Sequence, residues 1–256
     1  MPSYSRGCGR HRLCVLARAG PALRGLEFWS IVKVRPAPPG RCLLESGGAS
    51  MYARSTTFQA KASSIDAGIG LIRDEVMPAV QAMTGCMGMS MMADRRSGRC
   101  IVTSAWESRD EMRASDAAIT PLRERAGKVL GGSPFVEEWE IAILHRNHHS
   151  HQGACVRATW THGDPMKIDQ ALDTFRMGTM PAMENFEGFC SASMFVDRSV
   201  GRAVTSVTYD SRQAMEASRD AAMTLRRTTA RDTKVDILDV AEFDLLVAHL
   251  RVPEMA

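Results

Sequence analysis

The chain of 256 residues is short of lysine, of tyrosine and of long apolar runs. The longest stretch without a charged residue, 76–93, is broken by Pro78, Gln81, Gly85 and Gly88, which excludes a membrane-spanning helix. Residues 12–26 are interrupted by Arg, Gly and Pro, so no secretory signal core is present. None of the seven cysteines forms a C-x-x-C pair. That spacing gives no support to a structural zinc site or a thioredoxin-like motif, and no metal is expected. Cys86, Cys100, Cys155 and Cys190 are scattered and read as reduced, mostly buried thiols of a cytoplasmic protein. No P-loop, dinucleotide glycine pattern or Ser-His-Asp constellation is found; Gly68-Ile69-Gly70 sits inside a helical pattern.

A one-signed charge is also missing from most of the chain. The formal net charge is +3. Residues 1–50 hold eight basic and two acidic side chains, and the other 206 residues hold 24 basic and 27 acidic ones. The larger part is mildly acidic with its signs interspersed, which excludes a phosphate-tracking surface, so no nucleic-acid partner is expected. Residues 1–50 also carry seven of the 20 Gly and five of the 11 Pro, without helical or strand period. They read as a disordered leader. Five Lys against 27 Arg point to a GC-rich genome, and Met51 is the expected start of the biological chain.

What the sequence does have is an internal repeat. Shifted by 103 residues, 54–115 align with 157–218 without a gap, and 20 of the 62 pairs are identical. Ile65-Asp66 matches Ile168-Asp169, Met77-Pro78-Ala79 matches Met180-Pro181-Ala182, and Asp94-Arg95 with Gly98-Arg99 matches Asp197-Arg198 with Gly201-Arg202. Duplication of a unit of about 100 residues explains this. The expected units are 51–146 and 154–251, joined by a polar, His-rich linker over 147–153.

Each unit reads β-α-β-β-α-β. Tyr52–Phe58 and Cys155–Thr161 lean to strand. Ile65, Ile69, Ile72 and Val76 recur at helical spacing behind Ser63 or Ser64 as cap, and Gly163-Asp164-Pro165 opens the matching helix. Pro78 and Pro181 are expected to bend or end these helices. Asp94–Gly98 and Asp197–Gly201 read as hairpin turns, Ser108 and Ser211 as N-caps of the next helices. The last strands are expected within 135–144 and 235–247.

Gly85, Gly98 and the run Trp106-Glu107-Ser108, with partners Gly188, Gly201 and Tyr209-Asp210-Ser211, resemble the antibiotic biosynthesis monooxygenase family. The resemblance covers nearly everything except the leader. It implies an α+β fold of tandem, duplicated ferredoxin-like units that close an intramolecular α+β barrel, a pseudo-dimer within one chain. The chain is then expected to be a monomer, or a dimer through another surface. The resemblance further implies a cofactor-independent monooxygenase acting on a small hydrophobic or phenolic compound, with no cofactor. The alternative is a non-catalytic small-molecule-binding or stress-related barrel protein. Active members often carry Asn four residues before the Trp, where Val102 and Thr205 stand. Haem degraders carry His about nine residues after it, where Ser115 and Ser218 stand, which disfavours haem degradation.

No catalytic residue is assigned. The substrate-binding candidates are Arg54, Trp106, Met89, Arg157 and Tyr209. Trp106 and Tyr209 end equivalent strands and form either a pocket wall or an aromatic plug. Arg54 and Arg157 can orient an anionic or phenolic ligand, or form structural pairs with Glu140 and Glu242. Met87, Met89 and Met91 alternate and should share one strand face, against Cys190, Ala192 and Met194 in the second unit. The two units therefore need not enclose equal cavities. His145, His148, His149 and His151 read as a solvated linker.

Overall fold

The chain is described over residues 50–250 in a computed structural model. The leader expected over residues 1–50 lies, Ser50 apart, outside the described residues. The first repeat runs β1 (Met51–Gln59), α1 (Ile65–Leu71), α2 (Met77–Gln81), β2 (Cys86–Asp94), β3 (Arg99–Trp106), α3 (Arg109–Ala114), α4 (Asp116–Leu130) and β4 (Phe135–Arg146). The second runs β5 (Cys155–His162), α5 (Ile168–Thr174), α6 (Met180–Glu184), β6 (Phe189–Asp197), β7 (Arg202–Tyr209), α7 (Arg212–Ala217), α8 (Arg219–Thr233) and β8 (Asp236–Leu250).

Local sequence explains most of these boundaries. Ser108 and Ser211 accept the amides of Glu111 and Ala214, and Asp164 accepts that of Met166, each satisfying an amide at a helix start. The hairpin glycines Gly98 and Gly201 have φ of +77° and +69°. A Cβ there would collide with the carbonyl oxygens of Ala60 and Gly163, so both positions require glycine. One expectation needs correction, and another, that Pro78 and Pro181 bend or end their helices, is narrowed. Ser63 and Ser64 do not cap α1, which is entered through a 3₁₀ turn over Ala62–Ser64 with no side-chain bond at Ser64. Pro78 and Pro181 do not end their helices. A π-helical segment, Ile72–Val76 or Phe175–Thr179, precedes each, and helix resumes in α2 and α6. The wider turn makes room for a residue that has no N–H and whose ring crowds the preceding turn.

The eight strands form one closed antiparallel barrel in the order β1-β3-β2-β8-β5-β7-β6-β4. Each repeat contributes four neighbouring strands. The seams are β2 on β8 and β4 on β6, so each repeat's second strand pairs with the other's last. Closure removes the free edges that either four-stranded sheet would expose. The fold is the intramolecular, tandem ferredoxin-like barrel that the resemblance implied.

Three apolar clusters fill it. One lies inside the barrel and includes Trp139, Ile141, Trp160 and Phe243. The others lie between each half's outer sheet face and its helices, around Trp106, Leu130 and Ile65 in the first half and Tyr209, Phe175 and Phe189 in the second. Side-chain pairs repeat along with the sequence. Arg95 binds Asp66 at 2.7 Å and Arg198 binds Asp169 at 2.8 Å, tying each hairpin to its helix, which accounts for the repeated Ile-Asp and Asp-Arg pairs. Arg198 also reaches Glu140 across the seam at 2.8 Å.

Candidate functional site

The two sheet–helix spaces occupy equivalent places and differ in content. In the first half, Arg54 is buried on β1. Its Nη1 donates to Ser115 Oγ at 3.2 Å, its Nη2 to Glu138 Oε1 at 3.3 Å, and Asp116 lies 3.6 Å away. The expected partner Glu140 is not used. The β1/β4 register places Glu138 opposite Arg54 and Glu140 opposite Tyr52, and Glu140 instead binds Arg198. Trp106 is fully buried and its Nε1 donates to Ser104 Oγ at 2.9 Å. Met89 is buried in the same cluster. Arg54 and Met89 line a cavity of only about 30 Å³, room for roughly one water, and Trp106 does not border it.

Arg157 in the second half pairs with Glu242, as expected, at 3.0 Å. Its Nη1 donates to Tyr209 Oη at 3.3 Å and to Ser218 Oγ at 3.2 Å, and its Nη2 to the Met215 carbonyl at 2.6 Å. With Nε also on Glu242, the guanidinium fork is saturated by protein. Its structural effect is to fix the Tyr209 hydroxyl. Arg157 and Tyr209 border a cavity of about 110 Å³ between β5–β7 and the helices α5 and α8.

The exchanges across the 103-residue shift account for the larger space. Phe58, Met89, Cys100, Ile119 and Leu130 of the first half become Thr161, Ala192, Ala203, Ala222 and Thr233. Leu130 lies directly over Gly68, where a Cβ would clash with its methyl groups; the second half has Ala171 and Thr233 at those places. Opposing increases, Ile72 to Phe175 and Val80 to Met183, refill part of the space. The lining is mainly apolar, with the hydroxyls of Thr159, Thr179, Thr205 and Tyr209, and it reaches the surface at Asp164 and Lys167.

Sequence reasoning missed Arg226. In the first half its counterpart Arg123 binds Asp116 at 3.2 Å. Asp116 is replaced by Arg219, which itself binds Glu242 at 3.0 Å. Arg226 therefore borders the cavity, half-buried, with no ion pair or hydrogen bond among the described residues. Burial first, and then the charge of Arg157, pull its pKa below the usual arginine value. The signal lies in the sequence one position beyond the pair Ser115 and Ser218, as Asp116 against Arg219. The methionine face also needs correction. Met89 and Met91 share the helix-side core, but Met87 packs towards the barrel interior. A β-bulge between Cys86 and Gly88 breaks the two-residue alternation.

No model of a protein family matches the chain. Rv2557 of Mycobacterium tuberculosis, named as an uncharacterized protein, is 52% identical over 205 residues, covering 80% of this chain and 92% of that one. The chain belongs to the family of Rv2557. Among solved structures it is similar to FN1347 of Fusobacterium nucleatum, for which the name proposes a monooxygenase, with a TM-score of 0.59 at 12% identity, covering 78% of this chain and 93% of that one. It is also similar to an anthrone oxidase-like protein, with a TM-score of 0.58 at 16% identity, covering 81% and 96%. At such identities the likeness concerns the fold alone: a closed antiparallel barrel built from two repeated α+β units. No helix among the described residues is long and apolar enough to cross a membrane.

Proposed function

We propose that the second half binds a small, mainly apolar compound bearing one phenolic or anionic oxygen, and that the protein acts on it as a cofactor-independent monooxygenase. The observation that carries this reading is an apolar cavity bordered by an unpaired guanidinium, Arg226. A cavity of roughly 150 Å³ holds benzene, so about 110 Å³ takes the leading part of one ring, with the rest of the molecule leaving past Lys167. The buried positive charge lowers the pKa of a phenol beside it, because charge neutralisation is strongest where water is excluded. Electron-rich phenolates give electrons to molecular oxygen. In an anthrone-like substrate a methylene becomes a carbonyl; one oxygen atom stays in the product, and the other leaves as water with the two methylene hydrogens.

The protein's part is to hold the ring, favour the phenolate and exclude water. The second reading, a non-catalytic binding protein, is favoured by the lining itself. It contains no histidine, and its single carboxylate, Asp164, at the mouth, is engaged in capping a helix turn. Oxygen uptake with a panel of anthrones and quinols, beside binding of the same compounds under anaerobic conditions, separates the two. Uptake that Arg226→Gln abolishes supports the enzyme; binding without uptake supports the second reading; neither binding nor uptake overturns both. The built-in barrel partner also supports a monomer as the working state.

A further inference from the structure

The linker between the halves is not simply solvated. After β4 it turns over the start of β6, where the amides of Asn147 and His148 donate to the Cys190 carbonyl at 2.9 and 3.4 Å. This places His148 against two residues of the second half, Cys190 on β6 and Asp210 just after β7. One ligating atom from each of the three lies within 4.8 Å of the other two. His151 lies beside Asp210 alone, its Nε2 at 3.4 Å from Asp210 Oδ1, while His148 Nε2 is 3.6 Å from Asp210 Oδ2.

The other ring nitrogens settle which atoms are available. His148 Nδ1 lies 3.2 Å from the His149 carbonyl, and His151 Nδ1 lies 3.0 Å from that of Gln152. A ring nitrogen facing a carbonyl carries the proton, which leaves Nε2 as the lone-pair atom, and a backbone carbonyl on the far nitrogen is the usual support of a metal-bound imidazole. Both Nε2 atoms then point at the same carboxylate, whose Oδ1 is buried without a hydrogen bond. Two lone pairs aimed at an anion are unfavourable; a proton on a ring or a cation between them relieves this, and the buried Cys190 sulfur at the same point favours the metal. We propose that His148, Cys190 and Asp210 form a zinc site with an open fourth position, beside which His151 stands on Asp210.

The donor set is mixed N, S and O, which suits zinc better than calcium or magnesium. Cys190 is 1% exposed, and burial and then the Asp210 charge hold its thiol above the usual value; a bound dication reverses both effects, and the thiol proton leaves to solvent. The site belongs to the second half alone. The counterparts of Cys190 and Asp210 in the first repeat are Met87 and Glu107, and a thioether with a glutamate does not repeat the set. Its effect is to clip the connector between the halves onto the ends of β6 and β7. It would do so whether or not the cavity holds a substrate.

The test uses the untagged full chain, stripped with chelator and titrated with zinc. One zinc per chain and a higher melting temperature are expected. His148→Ala and Asp210→Asn should each weaken binding at least tenfold, as loss of a ligand or of its support does. Cobalt in place of zinc should give thiolate-to-metal charge transfer that Cys190→Ser removes; His148→Ala, at a half-exposed position, keeps the test valid if the buried cysteine variant misfolds. No zinc retained overturns the proposal. So does zinc binding that Cys190→Ser and Asp210→Asn leave unchanged but His149→Ala abolishes, which marks chance chelation by surface histidines.

Discussion

The first half of the molecule is solid where the second is hollow. Both use the same strand order, the same hairpin glycines and the same buried arginine on the first strand. Five large-to-small exchanges, led by Met89 to Ala192 and Leu130 to Thr233, change what the shared frame encloses. Duplication thus lets one copy carry stability while the other gives up packing for a cavity. The polar groups diverge in the same direction. Arg123 keeps a carboxylate, and Arg226 has lost one to the exchange of Asp116 for Arg219.

The largest way to break the comparison is to separate its terms. Fragment 51–146 exposes the edges of β2 and β4, which the second half covers in the whole chain. It should pair with itself in sedimentation, whereas the full chain sediments as a monomer; a folded, monomeric fragment would contradict the intramolecular barrel.

Next come the buried arginines. Arg157→Ala takes the buried partner from Glu242, which keeps only the exposed Arg219, and the donor from the Tyr209 hydroxyl, and should cost about 3 kcal/mol in urea unfolding. Arg54→Ala should cost less, because Glu138 is 33% exposed and reaches water. Equal losses would mean that the two clusters do not differ in burial as described.

The packing asymmetry predicts a similar contrast. Leu130→Ala should cost about 2–5 kcal/mol, because it opens a void over Gly68. Thr233→Ala, bordering space already present, should cost under about 1 kcal/mol. The reverse exchange, Ala192→Met with Thr233→Leu, should leave the fold intact and abolish binding of phenolic compounds by the second half.

A smaller effect is expected from charge. Arg226→Gln should weaken binding of a phenolate about tenfold to a hundredfold without lowering the melting temperature, since it removes an unpaired buried charge. Arg123→Gln, which breaks a pair, should lower stability slightly and leave binding alone. The smallest effect concerns pH. Burial in the first half raises the Cys100 pKa from 9.0 to about 11. Between those values the unfolded chain loses the proton that the folded chain keeps, so stability falls as pH rises through this window. Cys100→Ala should flatten that part of the stability profile.

Much of the fold was legible because its signals are local. Turn glycines, N-cap serines and helical spacing state their role within a few residues, and the 103-residue register multiplies each signal by two. Register along paired strands is not local. Glu138 and Glu140 lie on the same strand face, and only the β1/β4 alignment decides which one meets Arg54. The bulge at Cys86/Gly88 is likewise invisible to a two-residue count, and it turns Met87 away from its neighbours. Of the cavity, the exchange of Met89 for Ala192 was readable. The contribution of Leu130 was not, because it depends on a helix–helix contact with Gly68 that no periodicity encodes.

The sequence by itself determined the duplication, the order of strands and helices and the absence of a phosphate-binding charge pattern, since these depend on composition, spacing and identity along the chain. Only the tertiary structure decided which half is hollow, that Arg226 lacks the ion pair its counterpart Arg123 keeps, and which linker histidines meet Cys190 and Asp210. Those are properties of side chains far apart in sequence, and their distances are fixed only when the barrel closes.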